Sequence, residues 1–421
     1  MLKRVLFLNI GANFVLQLLT FAFPLVTLPY VTQIFGASVF GVVSYYGVLA
    51  GCFSILAMYG FDHSATRKIP ELEGDSHSLG ALFAEVQQVK FLLIAISALL
   101  FAIFLFFQQP TCEHKAIAWS SFLLTIGAGL NPNWFFQGRM RIQEMVWINS
   151  LFKGSALALV FILIKTERDA WLYPTLAALS IIGPALYGIW KTRLSFGIPK
   201  KQLKIQTFVR ELSDGRWMFG ISVLLFLNQS VGVLVLEYWH TMDEVAIYSL
   251  GWRFMNVMMA FVLGPIVTSL FPLAGQEIRQ APTSGFKKLI RYMWRILGVL
   301  VGLSIPYYFG MTIIFPLLFE EEFAGSLNVF VWLLGVPVLG ALTHMLNIQY
   351  LVNLHEEKRA FKTLVVASFL GWIWIGWATK SNGVMGATFG SLALEVQVLV
   401  AFALVAIRLH RSFQRGASEE L

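Results

Sequence analysis

Apolar residues in this chain come in long runs and do not alternate with polar ones at the strand or the helix period. A helix rises 1.5 Å per residue, so about 20 apolar residues cross the roughly 30 Å hydrocarbon core of a bilayer. Twelve runs approach or exceed that length: 8–33, 41–61, 84–107, 116–136, 146–164, 170–190, 216–236, 245–271, 293–315, 327–352, 363–379 and 385–407. A helix satisfies its own backbone in lipid, so the predicted fold class is an all-α polytopic membrane protein with about 12 transmembrane helices. The first run is too long for a signal-peptide core and lacks a close small-residue cleavage site, so it reads as a retained span. The third opens with Glu85, Gln87, Gln88 and Lys90 before turning apolar. The eleventh is short but carries Gly371-Trp-Ile-Trp-Ile-Gly-Trp377.

The longest polar interruption, Lys191–Gly215, divides the spans six and six. The expected organisation is an N-terminal six-helix lobe (1–190), a basic linker (191–215), a C-terminal six-helix lobe (216–407) and a tail (408–421). The linker contains Pro199 and an apolar-basic piece, Leu203–Leu212, that either lies on anionic lipid or belongs to a solvated connection. Two six-span halves joined on one side share an orientation, so any repeat is parallel. A weak one aligns Gly36-Ala-Ser-Val-Phe-Gly-Val-Val-Ser44 with Thr241-Met-Asp-Glu-Val-Ala-Ile-Tyr-Ser249 without a gap, each the short outer turn after the first helix of its half.

Composition narrows the class further. The 421 residues are 57% hydrophobic and 13% charged, with mean hydropathy +0.71, which excludes a soluble enzyme, a disordered chain and a disulfide scaffold. The two cysteines, Cys52 and Cys112, suit neither a disulfide framework nor a metal site. The sequence has no Gly-Lys-Ser/Thr phosphate loop, nucleophile elbow or metal-ligand cluster, so neither an enzyme nor a bound cofactor is expected.

The net charge of +8 gains a location once both termini are placed in the cytoplasm. Of 31 Lys and Arg residues, 24 then fall on cytoplasmic segments and 4 on outer loops, the asymmetry that the positive-inside rule demands. This collar of charge sets topology and removes nucleic acid as a partner. Lys90, Lys153 and Arg253 are left within spans or at their edges.

Five segments resemble bacterial O-antigen flippases, the polysaccharide-transport branch of the multidrug/oligosaccharidyl-lipid/polysaccharide exporter superfamily. Pro29-Tyr-Val-Thr-Gln-Ile-Phe-Gly-Ala-Ser-Val-Phe-Gly41 is similar to the end of their first helix, and Tyr59-Gly-Phe-Asp-His-Ser-Ala-Thr-Arg67 to their second-helix exit. Asn131-Pro-Asn-Trp-Phe-Phe-Gln-Gly138 resembles the signature that ends their fourth helix. Leu318-Phe-Glu-Glu-Glu-Phe323 resembles a loop that usually has Gly where this chain has Glu320. Gly383-Val-Met-Gly-Ala-Thr388, with Glu395 beyond it, resembles the start of their twelfth helix. The resemblance runs in order along nearly the whole chain. It implies two six-helix lobes around a central cavity, alternating access in a bacterial inner membrane, and an undecaprenyl-diphosphate-linked oligosaccharide as cargo. Membrane lipids, and the polymerase and chain-length regulator of the same pathway, are the further partners it implies.

A diphosphate joined to sugars loses its water in hydrocarbon, so a flippase must supply a polar path. A charge in mid-span costs at least about 2.5–3.5 kcal/mol and faces a cavity or a partner. Lys153 and Arg253, each about eight residues into its span, are candidates to hold the diphosphate; the alternative is a buried ion pair. Lys90, nearer the cytoplasmic edge, is either a third candidate or a head-group anchor. Glu395 either pairs with a cation or couples transport to proton or sodium entry, and His344 is either a second coupling candidate or a hydrogen-bonded packing residue. Asn9, Asn13 and Gln17 recur every four residues on helix one; with Asn228, Gln229 and Asn347 they are candidate sugar contacts or interhelical ties. Trp372, Trp374 and Trp377 read as an interface belt. A cation-coupled multidrug exporter of the same superfamily is the alternative function, although acidic cavity residues would suit its cargo better. A membrane polymerase would need a longer outer loop.

Overall fold

The computed structural model describes residues 2–72, 74–196, 205–258, 278 and 282–419. For some of these, Asn9, Asn13 and Gln17 among them, it describes the backbone alone. The described residues are mainly helical within every run expected to span, and the chain divides into two compact units, Met1–Val223 and Leu224–Leu421.

Helix α1 covers Leu2–Met58, and at 57 residues it is far too long for one crossing. It is interrupted at Gly36 (φ 64°, ψ 178°), a conformation that glycine adopts without strain. Six residues earlier, the Tyr30 hydroxyl donates to Ile164 O (2.7 Å), just past α6 (Gln143–Leu163). Ten residues later, the Tyr46 hydroxyl donates to Gln108 Oε1 (3.3 Å), at the end of α3 (Ser76–Gln108). Spans three and five run the same way, so both contacts lie on one side. The chain therefore reverses at Gly36, and α1 holds the first two spans.

The last helix, α13 (Glu357–Glu419), repeats the device. It is broken at Asn382 and Gly383 (φ 54°, ψ −134°) and holds spans eleven and twelve. Eight described helices are long and apolar enough to cross a membrane; the first and last each carry a reversal, so the eight contain ten expected spans. The other two lie on α4 (Cys112–Leu130) and α9 (Met242–Met258). The remainder of the eighth span, with Gly264 and Pro265, falls outside the described residues.

Several boundaries differ from expectation for local reasons. Helix α3 starts at Ser76, not near 84, because the Asp75 carboxylate caps it, accepting from His77 N (3.0 Å) and Ser78 N (3.2 Å). Helix α4 ends at Leu130, not near 136, because Pro132 lacks an N–H and disfavours helix before it. A short α5 (Asn133–Gly138) follows the break. The tenth span is segmented into α11 (Gly325–Leu333), α12 (Gly335–His344) and a π-helical turn (Met345–Leu351).

The linker is shorter than expected. Helix α7 (Leu172–Phe196) and α8 (Ile205–Trp239) extend into it from both sides, and Leu203 lies outside the described residues. Phe208 and Leu212 pack on the buried cluster of the first unit that contains Phe61, Phe83, Trp134 and Phe135. The Tyr59 ring stacks on Phe219 (4.2 Å, 15°), and its hydroxyl donates to Leu212 O (3.3 Å). Two apolar residues of the expected amphipathic piece, Phe208 and Leu212, thus meet protein, while Val209 between them stays exposed.

In the second unit, buried Leu236, Val245, Phe330, Leu394 and Phe402 form part of the core. The Tyr248 hydroxyl meets Ser391 Oγ at 2.9 Å, joining α9 to the last helix. The two aligned segments, starting at Gly36 and Thr241, both fall where the first helix of a unit passes into the second.

Candidate functional site

In the first unit, Lys153 lies on α6 and donates from Nζ to the Thr20 hydroxyl on α1. Thr20 in turn donates to Leu16 O (2.7 Å), which leaves its oxygen lone pairs for the ammonium. Thr20 stands three residues after Gln17 and continues the face marked by Asn9, Asn13 and Gln17. The side chains of those three lie outside the described ones; their backbone is helical. Lys153 is thus aimed at the Thr20 hydroxyl of helix one. Sequence reasoning missed Thr20, although a spacing of 4, 4 and 3 along the helix marks it.

Lys90 has a different setting. It is 1% exposed, and Nζ donates to Asn131 O (2.8 Å). One turn earlier, Gln87 Nε2 donates to Leu130 O (3.2 Å). These are carbonyls that helix α4 leaves open where Pro132 stops it. Lys90 is therefore held on a helix end, and it does not snorkel to a head group. The Asn131–Gly138 segment is built around the same junction: Asn133 N donates to Asn131 Oδ1 (3.0 Å), Thr66 Oγ1 to Trp134 O (3.3 Å), and the buried Trp134 ring stacks on Phe83 (5.9 Å, 18°). Its residues brace helices together, a role the sequence pattern left open.

The second unit carries the remaining candidates. Asn228, on α8, is buried, and its Oδ1 accepts from Trp372 Nε1 (2.9 Å). Trp372 is half-buried, whereas Trp374 and Trp377 are 56% and 65% exposed. The expected interface belt therefore keeps Trp374 and Trp377 and loses Trp372, which turns inward. Gln229 is half-buried. Asn347 and Gln349 are buried on the π-helical turn, where Asn347 Oδ1 and both amide atoms of Gln349 make no hydrogen bond among the described residues. A π turn widens the helix and leaves part of its backbone ladder open, and such turns favour functional positions. His344 ends the helix just before it.

Arg253 is half-buried on α9 and engaged by neighbouring groups. Glu395 is half-buried on the last helix. The described residues hold no cluster of three or more His, Cys, Asp or Glu able to bind a metal. Among the described residues the arrangement thus offers a cation beside a hydroxyl in one unit, and unsatisfied buried amides in the other. Such groups bind anionic and hydroxylated molecules.

The chain is similar to known proteins in both sequence and fold. A family model described as polysaccharide biosynthesis protein matches residues 6–277. The chain is 22% identical over 399 residues to a protein of Escherichia coli (strain K12), with 94% of each chain covered. It is 23% identical over 421 residues to one of Shigella dysenteriae, covering 96% of this chain and 98% of the other. Both carry the name "Putative O-antigen transporter". Among solved structures, the lipid II flippase MurJ in an inward closed conformation superposes with a TM-score of 0.67 at 13% identity, covering 95% of this chain and 87% of that one. An inward-facing multidrug resistance MATE transporter of the MOP superfamily gives 0.66 at 12% identity, with 96% of each chain covered. At such identities the likeness is one of fold: the helices take the two-lobe, twelve-helix plan of that transporter superfamily.

Proposed function

The chain belongs to the polysaccharide biosynthesis protein family, and from that premise we propose that it is a flippase. Its cargo in this reading is an undecaprenyl-diphosphate-linked O-antigen repeat unit, moved across the bacterial inner membrane by alternating access with both termini in the cytoplasm. The names of the two relatives support the cargo class. The observation that carries the reading is Lys153, a cation inside a membrane-spanning helix directed at the hydroxyl of Thr20 on a polar helix face. An ammonium there offsets the charge of a diphosphate in a medium where leaving it bare costs many kcal/mol.

The remaining roles follow from chemistry. Arg253 is the second diphosphate candidate. Asn9, Asn13, Gln17, Thr20, Asn228, Gln229 and Asn347 exchange hydrogen bonds with sugar hydroxyls as these leave water. Glu395, with His344, couples the cycle to a proton or sodium gradient. Lys90 is already held by a helix end and has no part in cargo binding. The chain performs no covalent step in this reading; the polymerase and chain-length regulator of the pathway act after it.

The test is direct. Purified protein in vesicles containing a lipid-linked oligosaccharide should expose that lipid to an external glycosidase, and Lys153→Ala should slow the exposure at equal protein level. No translocation by the unmodified protein, in either the presence or absence of an ion gradient, sinks the proposal. Resistance to cationic drugs on overexpression would support the multidrug exporter instead.

A further inference from the structure

The Asn228–Trp372 contact has a direction built into it. An indole nitrogen donates and never accepts. The atom of the Asn228 amide facing Trp372 Nε1 at 2.9 Å must therefore be the carbonyl oxygen. This settles the amide's orientation by chemistry: Oδ1 is taken, and Nδ2 points away from the indole with two N–H groups. Nδ2 is buried and has no hydrogen-bond partner among the described residues. Asn228 itself is only 4% exposed and sits near the middle of the candidate span Gly215–Trp239. One turn before Trp372, on the same face of its helix, Ser368 Oγ is likewise buried and without a hydrogen bond among the described residues.

Buried polar atoms are normally paired, and exceptions cluster where function requires them. A tie between two helices needs only the Oδ1–Nε1 bond and would tolerate any acceptor at position 228. The amide carries more than the tie uses, namely a pair of donors kept dry in the middle of a span. Free rotation would let the amide present either its oxygen or its nitrogen, and Trp372 removes that choice.

We propose that Trp372 is a positioning residue that fixes Asn228 as a pure hydrogen-bond donor, held for an acceptor oxygen of the saccharide cargo during passage. The inference rests on the flippase reading above and adds to it the polarity of one contact and the residue that sets it. A sugar hydroxyl or ring oxygen accepts from Nδ2 when the helices open to cargo, and the Trp372 bond is kept throughout.

The experiment is a double-mutant cycle in vesicles loaded with a lipid-linked oligosaccharide, read as the initial rate of its exposure to external glycosidase and as its concentration dependence. Asn228→Asp keeps an oxygen for Trp372 and removes both donors. Transport should fall about five- to tenfold, through weaker apparent affinity for cargo, with the membrane level of protein retained. Trp372→Phe keeps the ring and removes only the N–H. It should lower transport about threefold in the parent chain and have no further effect in the Asn228→Asp background, because it acts through the amide. If Asn228→Asp fails to accumulate, Trp372→Phe alone decides: unchanged transport per molecule, with only a lower melting temperature, overturns the proposal. Parent-like transport by Asn228→Asp, or independent effects of the two changes, overturns it as well, while leaving the flippase reading intact. Absence of transport by the parent chain would instead remove that reading.

Discussion

Glu244 closes the turn at Gly383: its Oε2 accepts from Val384 N at 3.1 Å, and its Oε1 lies 3.2 Å from His240 Nδ1. His240 Nε2 meets Thr379 O at 2.8 Å, so both ends of the turn between spans eleven and twelve are fastened to the joint between spans seven and eight. Gly383 has φ 54°, and a Cβ built there would overlap Glu244 Oε2. Gly383→Ala is thus expected to destabilise the second unit by about 1–3 kcal/mol through backbone strain and displacement of the carboxylate. Thermal unfolding of the detergent-solubilised protein checks this; a melting temperature equal to the parent's contradicts it. Glu244→Gln keeps an acceptor oxygen and should lose less.

Lys153 and Lys90 make opposing predictions. Lys153→Ala should reduce transport at least tenfold with protein level and melting temperature near those of the parent, while Lys153→Arg keeps the charge and most of the activity. Thr20→Val removes the hydroxyl that receives the ammonium and should cost less, about twofold to fivefold. Quantitative immunoblotting beside the transport assay separates these effects from loss of protein.

Lys90→Met leaves Asn131 O without its donor at the buried end of α4. A buried carbonyl left unpaired costs about 1–3 kcal/mol, so the variant should melt earlier and accumulate less, with transport per molecule unchanged. A strong loss of transport at a parental melting temperature would place Lys90 in the cargo path after all.

Asp75 lies outside the spans and caps α3. The Ser78 hydroxyl holds its carboxyl below the usual range, followed by Ser78 N, and His77 N adds to the effect. A depressed folded value means that the stabilisation is present above the ordinary carboxyl pKa of about 3.9 and is lost as pH falls through the folded value. Asp75→Ala should therefore melt below the parent at pH 5–7, and the gap should close as pH drops below about 4. A gap that persists undiminished in acid would show that the carboxylate is not its source.

Much of the fold was legible along the chain because hydrocarbon imposes a simple demand. A span must be helical, apolar and about 20 residues long, and runs such as 84–107 and 293–315 meet it without reference to any neighbour. The reversals at Gly36 and Gly383 were harder to see. A short turn is expected at both places, but not that one glycine makes it, since sequence shows that a glycine is present but not its φ. The start of α3 was hidden for a related reason, because a capping Asp75 and a polar first turn look like loop until the carboxylate is seen to meet the two amides.

At the candidate site, residue type and depth in the span were readable, and direction was not. Lys90 and Lys153 look alike in the sequence, two lone lysines in apolar helices. One ends on a helix terminus and the other on the polar face of α1, a distinction made by residues more than forty and more than a hundred positions away along the chain. Trp372 reads as a lipid anchor beside Trp374 and Trp377 until Asn228 is found within reach of its indole. The demand for long apolar runs follows from the solvent, which acts on each segment independently, so the chain alone specifies where its helices run. Which buried polar atom finds a partner depends on neighbours remote in sequence, and only tertiary packing brings these together.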